Sequence, residues 1–296
     1  MTPLVQLLAV AGYVLVFFAV LAGLLSWRKR RRNERWPVET KLRRGPGESL
    51  RRRIDSLVEN LPWRLCFGAL GPPLFGSGIL WFLGKTAPTT RLDVALTLAG
   101  VITAALLVIT GTWLFRYLRN ISNHRLGHYG ERVVAEALEP LVARGYRVFH
   151  DVPMEGRTWR ANIDHVVIGP TGVTVVETKA IRRRRGLSER EGNVLDCSGP
   201  LLRWPWGDGR VGLDQCVRNA DWLRKWIKQG TGWDVTVTAV LTFPGWYIKP
   251  APNRHSVIPT QWLPDRIPML QGTPLSPEQI DLIARQLDVV CRDVED

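Results

Sequence analysis

"NIDHVVIGPTGVTVVETKA", Asn162 to Ala180, consists of two β-rich runs joined by a turn, and Asp164, Glu177 and Lys179 interrupt them with charge. Gly169-Pro170-Thr171-Gly172 has Pro at the second position of a turn and Gly at the fourth. A hairpin closed over Pro170 and Thr171 pairs Gly169 with Gly172 and, counting outward, Asp164 with Glu177. A three- or five-residue loop would shift that register. Directly opposed residues have Cβ atoms about 4.5–5.5 Å apart, a separation at which like charges repel. A cation between the two carboxylates is expected.

Lys179 lies two residues beyond Glu177, so strand alternation puts both side chains on one face. Hard oxygen ligands with a lysine beside them suit Mg²⁺, with phosphodiester hydrolysis as the matching chemistry. The alternative is a surface strand with a Glu–Lys pair and an unrelated Asp, because Glu-x-Lys is a weak pattern by itself.

Outward from this stretch the chain divides in two. Leu4 to Leu25 is an uncharged apolar run of about the ~20 residues that cross a bilayer, followed at once by Arg28-Lys29-Arg30-Arg31-Arg32. No basic residue precedes its apolar core and no small-residue cleavage site follows, which favours a span over a cleaved signal peptide. Leu65 to Leu83 and Val94 to Leu114 read as a helical hairpin through the membrane. Gly68, Gly71, Pro72, Pro73, Gly76 and Gly78 are tolerable in the former where neighbouring helices re-satisfy the backbone. Basic residues crowd 28–64 and 116–125, which predicts a multi-pass protein of the cell membrane with its C-terminal part in the cytoplasm. The expected division is a membrane region over 1–126, with spans at 4–25, 65–83 and 94–114, and a cytoplasmic domain over 127–296. Gly47 to Asn60 is expected either as an amphipathic helix on the anionic leaflet or as a solvated charged linker.

The net charge of +13 is unevenly placed. Of the 40 Lys and Arg, 18 fall at or before Leu126, with 6 of the 27 Asp and Glu; beyond it, 22 face 21. Basicity therefore belongs to membrane topology and lipid headgroups, and the soluble part has no generally basic face for nucleic acid. Cys66, Cys197, Cys216 and Cys291 have no CxxC spacing and read as free or buried thiols.

From Gly127 the pattern is α/β: a helix at 129–142, interrupted by Pro140; strands at 146–152, 162–168 and 173–180; a helix at 213–229; a strand at 235–243; and a closing helix at 276–290 capped by Ser276. His165 points away from Asp164 and reads as a packed, hydrogen-bonded histidine. Trp204 and Trp206 are expected to anchor a loop, with base stacking as the alternative. Arg182 to Arg185 either contact phosphate or form a solvated turn.

Gly127-His128-Tyr129-Gly130-Glu131, Tyr146-Arg147-Val148-Phe149-His150-Asp151-Val152, Ile163 to Ile168 and Gly172 to Lys179 together resemble the nuclease-related domain, a branch of the PD-(D/E)xK nuclease superfamily. The resemblance covers about 127–243, and Gln215 and Asn219 fit it as well. It implies a restriction-endonuclease-like domain, a central mixed sheet flanked by helices. It further implies metal ligation by Asp164 and Glu177, with Glu131 as an outer ligand or holder of metal-bound water. Lys179 would position or activate the attacking water, and Gln215 would bind or orient. The cofactor implied is Mg²⁺ or Mn²⁺ and the partners are nucleic acid, DNA ahead of RNA, and the lipid bilayer. A membrane-anchored metal-dependent nuclease is the expectation; a tethered nucleic-acid- or protein-binding module without turnover is the alternative.

Overall fold

The computed structural model describes residues 12, 16–24, 26–27, 41–86, 92–154, 161–183, 193–249 and 256–294. The expected span at 4–25 and the basic stretch 28–40 fall largely outside them, as do Arg184 and Arg185. The chain forms two units, residues 1–42 with 294–296, and residues 43–293. In the first, residues 16–24 are helical. Everything below concerns the second.

Helix α1 (Glu48–Glu59) is followed by α2 (Leu61–Thr86) and α3 (Leu92–Ala143). The runs 65–83 and 94–114 lie inside α2 and α3, and each helix carries a stretch long and apolar enough to cross a membrane. Pro72 and Pro73 sit within α2 without ending it. The two helices meet at Gly76, where an added Cβ would fall 2.1 Å from Thr103 Oγ1.

Two expectations change here. Part of the apolar side of α1 meets protein: Leu57 is buried against Tyr117 and Ile121 of α3, and Leu50 lies against Gly127, whereas Val58 stays exposed. The Tyr117 hydroxyl donates to Leu57 O at 2.6 Å. The helix expected at 129–142 is the far end of a 52-residue helix, so no break in secondary structure falls at 126/127. Pro140 lies only three residues before the end of α3, where there is little helix left to disrupt.

The central sheet contains β1 (Arg147–Pro153), β2 (Asn162–Gly169) and β3 (Gly172–Thr178). After β4 (Val194–Asp196), β5 (Leu202–Trp204), β6 (Gly207–Gly209) and α4 (Leu213–Thr231), β7 (Val237–Thr242) completes it. The order is β1-β2-β3-β7, two antiparallel pairings and one parallel, hence a mixed sheet. Strand alternation builds two cores. Val166, Ile168, Val173 and Val175 pack with Leu223 and Ile227 of α4 and with Ile283 and Leu287 of α5 (Pro277–Val290). Val167, Val176 and Val240 pack with Val134, Leu138 and Leu141 of α3.

The stretch after β3, read only as polar and Trp-containing, forms a second sheet with β8 (Tyr247–Lys249), in the order β6-β5-β4-β8. Its strands are three residues each, too short for alternation to show. Trp204 is buried, stacks on Trp206 and meets Trp246 and Phe243 edge-on, so these rings hold the small sheet together.

Candidate active site

The hairpin has the register counted from its turn: Gly169 pairs with Gly172 and His165 with Val176. One step further the backbone ladder stops at Asp164 and Glu177, and side chains take over. The Thr178 N–H donates to Asp164 Oδ2 at 2.7 Å. Lys179 Nζ stands 2.6 Å from Glu177 Oε1 and donates to Gln215 Oε1 at 2.9 Å. Asn219 Nδ2, one turn along α4, donates to Glu177 Oε2 at 2.9 Å. The parallel neighbour β7 fixes the strand end, because the Lys179 N–H donates to Thr242 O.

Glu131 arrives from the opposite side of the sheet. Gly130 lets α3 close on the end of β3, since a Cβ there would fall 2.6 Å from Ala180 Cβ. Glu131 is 6 % exposed, Asp164 7 % and Glu177 0 %, and the Lys179 side chain is 26 % exposed. The three carboxylates feel one another. Burial, then Asp151 and Glu177, pushes the Glu131 carboxyl up to about 8. Burial, then Glu177 and Glu131, holds Asp164 well above the usual carboxylate range. Burial also raises Glu177, against the pull of Lys179. Burial works to lower Lys179, but Glu177 beside it holds the ammonium above the ordinary lysine value. One ammonium thus serves three buried acids.

All five residues singled out from the sequence, Glu131, Asp164, Glu177, Lys179 and Gln215, meet at this edge. Glu131 Oε2 is buried without a hydrogen-bond partner. Among the described residues no three Asp, Glu, His or Cys side chains stand close enough as they are to ligate one ion. The groove of about 800 Å³ between α4 and α5, lined by Trp222, Trp226, Val289 and others, touches none of the carboxylates.

Asp151, in the "YRVFHDV" strand, is a further buried acid that local sequence pattern does not mark as part of the site. It is fully buried, has φ 50°, and in the β1–β2 register falls opposite Asp164. A buried aspartate in a strand was the available signal. His165 is packed as expected, its Nδ1 2.8 Å from His150 Nδ1. Arg182 donates to Ser122 O and Arg183 to Gly245 O, so both are engaged within the protein. Asp214 lies in the first turn of α4 and pairs with Arg210.

The family model of the nuclease-related domain matches residues 126–244. No curated protein and no solved structure matches the chain.

Proposed function

We propose that this chain, which carries a nuclease-related domain on a nuclease-like scaffold, is a membrane-anchored nuclease that hydrolyses phosphodiester bonds of DNA with the help of Mg²⁺. The observation that carries the reading is the buried cluster of Glu131, Asp164 and Glu177 with Lys179 beside it. Ionising such a cluster of buried acids costs stability, and perturbed carboxyls gathered at one strand end are a mark of a site that takes up a cation.

The residues suit that ion. They offer hard oxygen donors, and Glu131 Oε2 has no partner. Asp164, Glu177 and Glu131 would hold it, in competition with Lys179 for Glu177. When bound, Mg²⁺ supplies Lewis-acid polarisation of the phosphate and of the attacking water. Lys179, steadied by Gln215, places a positive charge where negative charge develops on phosphorus-bound oxygen. Asn219 keeps the Glu177 carboxylate facing the cluster. Glu131, with its carboxyl near 8, can accept or release a proton close to neutral pH.

Membrane attachment rests on the outward faces of α2 and α3. Phe67, Phe75, Phe82, Val101, Val108 and Phe115 are all exposed, unlike the side chains of a soluble core helix. Lys85 lies over Trp81 towards one end of α2, and Arg64 lies over Trp113 and Tyr117 towards the other. Arg64 and Trp81 are 17 residues apart, about 26 Å of helix, close to the thickness of a hydrocarbon core.

The deciding experiment incubates the full chain in nanodiscs with DNA and RNA, in Mg²⁺, Mn²⁺ or EDTA, beside Glu177→Gln and Lys179→Met. Metal-dependent cleavage lost in both variants is expected. Absence of cleavage on every substrate sinks the enzyme reading. A second reading, a tethered binding module, draws on Lys179 already occupying Glu177 and on the near-neutral charge beyond Leu126; it predicts retention of nucleic acid without cutting.

A further inference from the structure

Residues 44–49 precede the matched domain by some eighty positions, yet they form part of its candidate site. Gly47 caps α1 with φ 71°, and a Cβ on it would meet His128 Cδ2 at 2.7 Å and Glu131 Oε2 at 3.5 Å. The Gly47 backbone also favours the charged form of Glu131, against the effect of burial. Any side chain here would be strained by the left-handed backbone and would also push the segment off α3.

The segment is clamped on both sides of Gly47. Arg44, its side chain 11 % exposed, donates through Nη1 to Asp151 Oδ2 at 2.8 Å and through Nε to Asp293 Oδ1 at 2.7 Å. Ser49 adds its N–H and its hydroxyl to the same Asp151 oxygen, at 3.1 and 2.7 Å. Asn162 Nδ2, at the start of β2, holds the other Asp151 oxygen at 2.5 Å. Glu48 is buried and gripped by Arg51 and Arg52. Asp151 has a backbone conformation that few non-glycine residues adopt, a kind of strain that gathers at functional sites. In the β1–β2 register it falls opposite Asp164, which belongs to the cluster.

We propose that residues 44–49 are a positioning element of the candidate site: the Arg44–Asp151 clamp presses Gly47 onto α3 and fixes the Glu131 carboxylate relative to Asp164 and Glu177. The proposal rests on the nuclease reading for its kinetic consequence and on geometry for its physical one. α1 runs antiparallel along α3, from Leu57 at Tyr117 to Gly47 at Glu131. The wall that holds Glu131 is therefore supplied by the segment leading into the membrane hairpin, and a domain cut at the matched boundary lacks it.

The test uses the full chain in nanodiscs with three sequences: wild type, Arg44→Ala, and Arg44→Ala with Asp151→Asn. The double variant removes the buried charge that Arg44→Ala leaves without its partner. Cleavage of a DNA oligonucleotide with Mg²⁺ is read as kcat and KM, beside melting temperature and amide hydrogen exchange at 47–51 and 128–132. Arg44→Ala should lower kcat roughly tenfold with KM within about twofold, and should speed exchange at both segments roughly tenfold. Asp151→Asn in that background should restore the melting temperature and leave kcat low and exchange fast. Recovery of kcat together with the melting temperature would overturn the proposal, because the clamp would then be structural only. A wild-type chain that cuts nothing would defeat the nuclease reading separately. Exchange at 128–132 would then decide alone, with acceleration in the double variant supporting positioning and unchanged rates overturning it.

Discussion

Gly130 of α3 faces Ala180 just past β3 at such close range that a methyl group on the glycine would lie 2.6 Å from the alanine Cβ. That approach brings Glu131, one residue on, over the end of the strand bearing Glu177. Gly130→Ala would favour the helix intrinsically but force α3 off the sheet. A net loss of about 1–3 kcal/mol is expected from chemical denaturation, as for other overpacked contacts. Cleavage should fall more than stability does. A variant as stable and active as wild type would show that the contact has room to give.

Glu131 makes the fold sensitive to base. Its carboxyl is raised from 4.5 to about 8, so its contribution to stability is complete below about pH 4.5 and disappears as the pH climbs towards about 8. Glu131→Gln cannot ionise. Thermal melts in EDTA should show the variant gaining on wild type from pH 5 to pH 8 and overtaking it at the upper end. Asp151, Asp164 and Glu177 are raised as well, so the slope of the variant should shrink without vanishing. Parallel curves would mean that Glu131 is not buried as a charge.

Lys179 is the counter-ion of a carboxylate with no exposure to solvent. Lys179→Met should therefore cost about 3–5 kcal/mol near pH 8, the usual penalty for orphaning a buried charge. Adding Glu177→Gln should recover most of that, in a double-mutant cycle measured by urea denaturation, while cleavage stays absent. Additive losses would contradict the pairing.

Gly76 and Gly78 separate packing from composition in the hairpin. A side chain at Gly76 runs into Thr103, whereas nothing lies within 4 Å of a Cβ at Gly78. Gly76→Leu should lower the melting temperature in nanodiscs, by the equivalent of about 1–3 kcal/mol. Gly78→Leu should be neutral or mildly stabilising. Equal effects would count against the α2–α3 crossing.

Most of this candidate site is legible in the sequence because its determinants are local. A four-residue turn sets the register from Gly169 to Asp164, and alternation carries Lys179 to the side of Glu177. The helix expected at 213–229 is α4, and its buried residues Cys216, Ala220, Leu223 and Ile227 recur at helical spacing. What escaped depends on contacts between distant segments. α1 has the arginines and apolar stripe of a leaflet-bound helix, and only the presence of Tyr117, Ile121 and Gly127 on α3 shows that Leu57 and Leu50 of that stripe meet protein. Asp151 looked like one more polar residue in a strand until Arg44, more than a hundred residues away, supplied its partner. The second sheet left no periodic trace because none of its strands exceeds three residues.

A helix that never breaks is also a ruler. From Tyr117, beside the arginine that marks one edge of the apolar hairpin, to Glu131 there are 14 residues of continuous α3, a rise of about 21 Å. With the apolar half of α3 in a bilayer, as proposed, the carboxylates would be held at a set height of about 20 Å above its edge. A nuclease of the proposed kind would not roam the cell for substrate. It would patrol a thin shell beside the membrane, and what it cuts would be decided by which strands come that close.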